Sequence, residues 1–226
     1  MSSPRDPKDV AHTFAAVPVK DLFGTKSRLT PILDPGGRAG LTLYMMKRVV
    51  SVLNRAGIPP GNLCVVSPDR LVLETAAEAG AVPLAQNTSG LNPALEEARG
   101  WAESRGASSL LVLPSDLPLL GTEDVEGILA CGEESPVVVA PDAGETGTNA
   151  LLLQPPDAIP FLFGSGSYRA HLEAARRRGL VVRECRSPNV SFDVDTIEDL
   201  KKLEVPDELR LPGRYSDAFS RGTGRG

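Results

Sequence analysis

Apolar and polar positions alternate along this chain in two distinct periods. Short continuous apolar runs predict strands at Thr13 to Val19, Leu63 to Val66, Ala81 to Ala85, Ser109 to Leu113, Pro136 to Ala140, Asn149 to Leu153 and Leu180 to Glu184. Between them, apolar residues recur at helical spacing. Leu41, Met45, Val49, Val52, Leu53 and Ala56 mark a helix over Ala39 to Ala56, closed by Gly57-Ile58-Pro59-Pro60-Gly61. Further helices are expected over Arg70 to Ala79, around Leu91, Leu95, Ala98 and Ala102, and over Thr122 to Cys131, Ser167 to Arg178 and Thr196 to Leu203. Strand–helix alternation of this kind implies an α/β fold, Rossmann-like, with a mostly parallel sheet covered by helices on both faces. Ser109 to Leu113 is the most apolar run and is expected at its centre. Ligands of such sheets bind at the carboxyl ends of the strands.

The ends of the chain read differently. Residues 1–12 are polar and residues 206–226 are rich in Pro, Gly and Arg. Both are expected to be flexible, leaving 13–205 as a single domain. With 226 residues, 41% of them hydrophobic, the chain is long enough for a substantial core. Its net charge of −5, with aromatics at 4%, argues against a nucleic-acid surface. No apolar run reaches the length of a membrane span, and no secretory signal is visible. Three dispersed cysteines, Cys64, Cys131 and Cys185, show no metal-binding spacing. A cytoplasmic protein is expected.

Histidine-based catalysis has little to draw on. His12 lies in the polar N-terminus, and His171 reads as a surface residue early in a helix. Carboxylates are better placed. Asp116 follows the central strand in Leu113-Pro114-Ser115-Asp116-Leu117-Pro118. In Phe192-Asp193-Val194-Asp195 the two aspartates are two apart, so an extended backbone turns both to one side. Taken singly, each aspartate is more readily structural; Thr196-Ile197-Glu198-Asp199, for one, resembles a capping box. The three together favour a site for magnesium, a hard cation that prefers oxygen. Ala140 to Asn149 is glycine-containing and ends in Thr148 and Asn149, while Phe163-Gly164-Ser165-Gly166-Ser167 runs into a helix N-terminus, a natural anion site. Lys20, Lys26 and Arg28 follow the first strand closely enough to meet a triphosphate, although taken alone they read more readily as solvated surface charge.

These segments together resemble the guanylyltransferases of coenzyme F-420 biosynthesis, relatives of the molybdenum-cofactor guanylyltransferases. The resemblance spans Phe14 to Leu203. It is carried by Val17-Pro18-Val19-Lys20, Lys26-Ser27-Arg28-Leu29, Val66-Ser67-Pro68-Asp69, Gly90-Leu91-Asn92, Ser115-Asp116-Leu117-Pro118, Gly147-Thr148-Asn149-Ala150-Leu151, Phe163 to Ser167 and Asp193-Val194-Asp195. Pro18-Val19-Lys20 stands where the wider superfamily has a glycine-rich loop, which fits the F-420 branch. The resemblance implies that Asp116, Asp193 and Asp195 hold magnesium and that Thr148, Gly164 and Ser167 hold a small phosphorylated carboxylic acid. Lys20, Lys26 and Arg28 would face the triphosphate of GTP, with Asp116, Lys20 and Lys26 carrying the chemistry. Ser67, Pro68, Asp69, Gly90 and Asn92 would line the nucleoside pocket. The expected acceptor is phosphoenolpyruvate, with 2-phospho-L-lactate and 3-phosphoglycerate as alternatives. Hand-over of product to a downstream transferase and a homodimer are further expectations. A nucleotide-sugar glycosyltransferase and a non-catalytic GTP-binding module are the rival readings.

Overall fold

The computed structural model describes residues 12–203; the two predicted flexible ends lie outside this range, apart from His12. Seven strands form one sheet: β1 (Thr13–Pro18), β2 (Leu63–Ser67), β3 (Val82–Ala85), β4 (Ser109–Val112), β5 (Val137–Pro141), β6 (Thr148–Leu153) and β7 (Val182–Glu184). Their spatial order is β3-β2-β1-β4-β6-β5-β7, so β4 is central as expected. All pairings are parallel except those of β6, which runs antiparallel to both β4 and β5.

The helices are α1 (Pro35–Arg55), α2 (Arg70–Glu78), α3 (Leu91–Glu103), α4 (Thr122–Glu133), α5 (Ser167–Arg177), α6 (Pro188–Ser191) and α7 (Ile197–Lys202). Helix α1 begins four residues before the sequence pattern suggests. Asp34 accepts a hydrogen bond from Gly37 N–H at 2.7 Å and Pro35 occupies the first turn, a strong start signal hidden by the weak helix formers Gly36 and Gly37. At the other end Gly57, at φ +91°, takes the left-handed conformation that stops the helix.

The period-two alternation of the strands assigns side chains to two cores. Ala15 and Val17 of β1 join Met46, Val49 and Leu53 of α1, Val72 and Ala76 of α2, and Ile128 and Leu129 of α4 on one face. Phe14 and Ala16 join Leu95, Ala98 and Ala102 of α3 and Leu172 and Ala175 of α5 on the other. Every residue of β4 and β6 is buried, which explains the apolar runs Leu110–Val112 and Ala150–Leu153. A third, smaller cluster of Leu29, Leu33, Leu41, Met45, Val194 and Leu200 fastens the C-terminal segment to α1 and to the turn after Lys26.

Helix α4 packs so closely on β6 that a Cβ at Gly132 would lie 2.5 Å from Leu152 Cδ2 and 2.9 Å from Gln154 Nε2. Gly127 of the same helix has open space around it. Gly127→Ala is therefore expected to stabilise the protein by about 0.5–1 kcal/mol. Gly132→Ala is expected to destabilise it by about 1–3 kcal/mol through overpacking. Denaturant unfolding of the two variants checks this, and equal effects would refute it.

Candidate active site

The carboxyl ends of β1, β2 and β4 open onto a cavity of about 820 Å³. Lys20, Lys26 and Arg28 line it after β1, Pro68 after β2, Asp116 after β4, and Asp195 from the C-terminal segment. Gln86 to Gly90, between β3 and α3, forms another wall. The Glu97 carboxylate steadies that wall by accepting from the backbone N–H of Asn87 and, at 2.8 Å, of Thr88.

Asp116, Asp193 and Asp195 meet as expected. One carboxylate oxygen from each lies within 4.8 Å of the others. The fully buried Val194 is the reason: it turns into the third apolar cluster, so its neighbours on either side both turn toward Asp116. The Val194 N–H also donates to the Asp116 carbonyl at 3.3 Å, tying the two segments directly. The donor set is all oxygen, which suits a hard divalent cation. A positive charge already sits there. Lys26 Nζ lies 2.6 Å from Asp116 Oδ2 and 3.0 Å from Asp195 Oδ1, with a side chain only 7% exposed. Burial disfavours the Lys26 ammonium, but the charges of Asp116 and Asp195 outweigh that and raise its pKa. For Asp193, burial and the Asp116 charge push the pKa up, against the opposing hydrogen bond from Asn149.

Lys26 itself holds a left-handed backbone, φ +48°. Arg38, buried and with no carboxylate partner among the described residues, fixes this loop by donating to the carbonyls of Thr25 at 3.2 Å and Leu33 at 3.0 Å. Sequence reasoning missed Arg38. Its signal, a lone arginine on the apolar stripe of α1, is faint. Arg28, largely exposed, reaches Asp195 at 3.5 Å, and Lys20 is exposed at the cavity wall.

The residues expected around the nucleoside divide. Pro68 and Gly90 face the cavity. Asp69 caps α2 through Leu71 N–H at 2.8 Å and holds Leu22 N–H at 3.0 Å. Ser67 is wholly buried, its hydroxyl accepting from Asp69 N–H. Asn92 is bonded in both directions to the backbone of Phe163, accepting from its N–H at 2.8 Å and donating to its carbonyl at 3.0 Å. These three therefore shape the frame around the cavity.

Thr148, at the start of β6, and Ser167, at the start of α5, meet as expected: Ser167 Oγ donates to Thr148 Oγ1 at 3.2 Å. The cap of α5 is Gly166, at φ +74°, one residue before Ser167. Gly164, at φ +135°, has open space where a Cβ would stand. Asn149, beside Thr148, donates to the Val190 carbonyl at 3.0 Å and to Asp193 Oδ1 at 3.4 Å, linking the Thr148–Ser167 pair to the carboxylates. One reading is overturned: His171 is not a surface residue but is fully buried, beneath Thr148 and against Phe163. The apolar face of α5 turns it inward, and two hydrogen bonds satisfy its ring.

Comparison with known proteins bears on this geometry. The chain is similar in structure to a protein of Desulfovibrio desulfuricans G20 (TM-score 0.69, 20% identity, covering 93% of this chain and 95% of that one). It is also similar to a CMP:2-keto-3-deoxy-manno-octonic acid synthetase complexed with CTP (TM-score 0.56, 15% identity, 85% and 96%). Fold and site together define a Rossmann-like α/β protein with a carboxylate cluster at its ligand edge. The family described as "Guanylyl transferase CofC like" matches residues 13–213, and the chain belongs to that family. It is 55% identical to a phosphoenolpyruvate guanylyltransferase of Rubrobacter xylanophilus, covering 85% of this chain and 93% of the relative. It is 42% identical to one of Sphaerobacter thermophilus (84% and 92%), and 35% identical to a 3-phospho-D-glycerate guanylyltransferase of Colwellia psychrerythraea (85% and 91%). No helix among the described residues is long and apolar enough to cross a membrane.

Two predictions follow from the charges. Because the Asp193 pKa is raised on folding, the unfolded chain releases that proton first, and the ionised form costs stability at neutral pH. Asp193→Asn should raise the melting temperature in a chelator while abolishing activity; an unchanged or lower melting temperature would refute the strain. Burial lowers the His171 pKa from 6.5 to about 4, so the unfolded chain binds that proton first as pH falls. His171 is thus expected to contribute stability that is complete above pH 6.5 and lost toward pH 4, up to about 3 kcal/mol. A melting series over this range, compared with that of His171→Asn, measures the contribution.

Proposed function

We propose that this protein transfers GMP from GTP to the phosphate of phosphoenolpyruvate, giving enolpyruvyl-diphospho-guanosine and pyrophosphate. One observation carries the reading: the three carboxylates stand between a cation-lined cavity and the hydroxyls of Thr148 and Ser167, with Asn149 bridging to Asp193. The cavity suits the nucleotide, and the hydroxyls and backbone N–H groups at the start of α5 suit a small anion. The identity to phosphoenolpyruvate guanylyltransferases supports that acceptor.

An oxygen of the acid's phosphate attacks the α-phosphorus of GTP. The bond from that phosphorus to the bridging oxygen breaks, and pyrophosphate leaves with the electron pair. The nucleophile is already an anion, so no protein nucleophile and no histidine base is required. Asp116, Asp193 and Asp195 would hold a magnesium ion, which would neutralise phosphate charge when bound. Lys20 and Lys26 balance the charge of the departing pyrophosphate, and Arg28 extends that positive rim. Thr148, Gly164 and Ser167 hold the acid through hydroxyl and backbone N–H groups. The product is an activated diphosphate, so an enzyme that cleaves it to pass on the enolpyruvyl phosphate follows in sequence. GTP and small phosphorylated acids are metabolites of the cytoplasm, where we place the reaction.

Pyrophosphate release from GTP, measured with phosphoenolpyruvate, 2-phospho-L-lactate and 3-phospho-D-glycerate in turn, tests the proposal. Release is expected to be fastest with phosphoenolpyruvate, to require magnesium, and to disappear in Asp116→Asn while that variant still melts cooperatively as a folded protein. Faster release with 3-phospho-D-glycerate would move the chain to the specificity of its more distant relative. Release without any acid would overturn the transfer reaction.

A further inference from the structure

His171 is a buried ring with no part in the steps above, yet its hydrogen bonds assign its protons. The Leu162 backbone N–H donates to Nε2 at 3.0 Å. An amide hydrogen pointing at Nε2 requires a lone pair there, so a neutral imidazole must carry its own hydrogen on Nδ1. Nδ1 lies 3.0 Å from Thr148 Oγ1. Thr148 therefore accepts from His171. It also accepts from Ser167 Oγ at 3.2 Å. A hydroxyl oxygen has two lone pairs, and both are now engaged. The hydrogen of the Thr148 hydroxyl has no acceptor among the described residues and is directed away from both donors.

We propose that His171 is a positioning residue that makes the Thr148 hydroxyl an obligate donor toward an anionic oxygen of the phosphorylated acid. This rests on the reading that Thr148, Gly164 and Ser167 bound that acid. Without the Nδ1–H bond, the Thr148 hydrogen could turn inward, and the hydroxyl would present a lone pair to an anion. The same ring also sets the segment leading to Gly164. It binds Leu162 through Nε2 and packs edge-on against Phe163, with ring centroids 5.0 Å apart. Asn92 holds Phe163 from the other side by two hydrogen bonds. One buried imidazole thus orients both walls of the acid pocket. Protonating Nε2 would set two hydrogens against each other at Leu162, so the arrangement excludes the charged ring on geometry. The burial that lowers the His171 pKa to about 4 acts in the same direction.

The direct test is the imidazole nitrogen-15 NMR spectrum of the full-length protein at neutral pH. The chain has only two histidines, so comparison with His171→Asn assigns the signals. A neutral ring protonated on Nδ1 is expected; a ring protonated on Nε2 would overturn the proposal. Kinetics supply the second test. Thr148→Val and His171→Leu should each raise the KM for phosphoenolpyruvate by about tenfold or more, with the KM for GTP unchanged. His171→Asn, whose amide N–H can take the place of Nδ1–H, should recover most of the loss. If Thr148→Val leaves the KM for the acid unaltered, the pocket reading falls and this inference with it. If Thr148→Val raises it and a folded His171→Leu does not, only the role of His171 is wrong. Should His171→Leu fail to fold, the spectrum of the unmodified protein still decides.

Discussion

Three carboxylates with oxygens inside a 4.8 Å span repel one another, and the architecture of the site is organised around holding them there. At an effective dielectric of about 20, each pair costs roughly 3 kcal/mol or more. That cost is met from outside the cluster. Val194 buries its side chain and donates its N–H to Asp116, so the C-terminal segment cannot drift away without losing apolar contacts. Lys26 supplies a balancing charge, and Arg38 holds the strained loop that delivers it. The lysine serves the same electrostatic need as a bound cation, so the folded chain is tolerable before any ligand arrives.

The strand edge is divided around this cluster. On one side, the segments after β1, β2 and β3 form a wide cavity with exposed cations. On the other, the start of β6 and the start of α5 bring the buried hydroxyls of Thr148 and Ser167 together. Asn149 belongs to the second side by sequence and to the carboxylates by its hydrogen bond. In the proposed reaction between two anions, this partition would let each partner be held by its own set of groups, with the phosphates meeting where positive charge is available.

The sheet and most helices were legible because alternation and helical spacing are local signals. The start of α1 was not, because Gly36 and Gly37 look unlike a helix while Asp34 and Pro35 specify one. The meeting of Asp116 with Asp193 and Asp195 was legible from strand-edge position and spacing, whereas the stand-in role of Lys26 depends on a loop conformation that no pattern announces. Asp69 and Asn92 matched family motifs yet serve the framework, since a motif marks a position without saying which way its side chain is spent. His171 was misread for a related reason. A lone histidine near a helix start resembles a solvated residue until the tertiary fold shows which face of α5 turns inward, and the partners of its ring come from residues 148 and 162, distant in sequence or on a separate loop.

Because β6 alone runs against its neighbours, its first residue, not its last, stands at the ligand edge. In a purely parallel sheet, a residue at that edge is followed by a long crossover, and altering it disturbs the path to the next strand. Thr148 instead follows the short connection from β5, whose turn is closed by the Asp142 carboxylate binding Thr146 and Gly147. The connection is also tied outward: Ala143 N–H donates to the Ser191 carbonyl at 3.0 Å, and Tyr168 N–H to the Thr146 carbonyl at 3.3 Å. The antiparallel run of β6 thus brings a strand's beginning, with its Thr148 hydroxyl, to the same edge that the parallel strands reach with their ends.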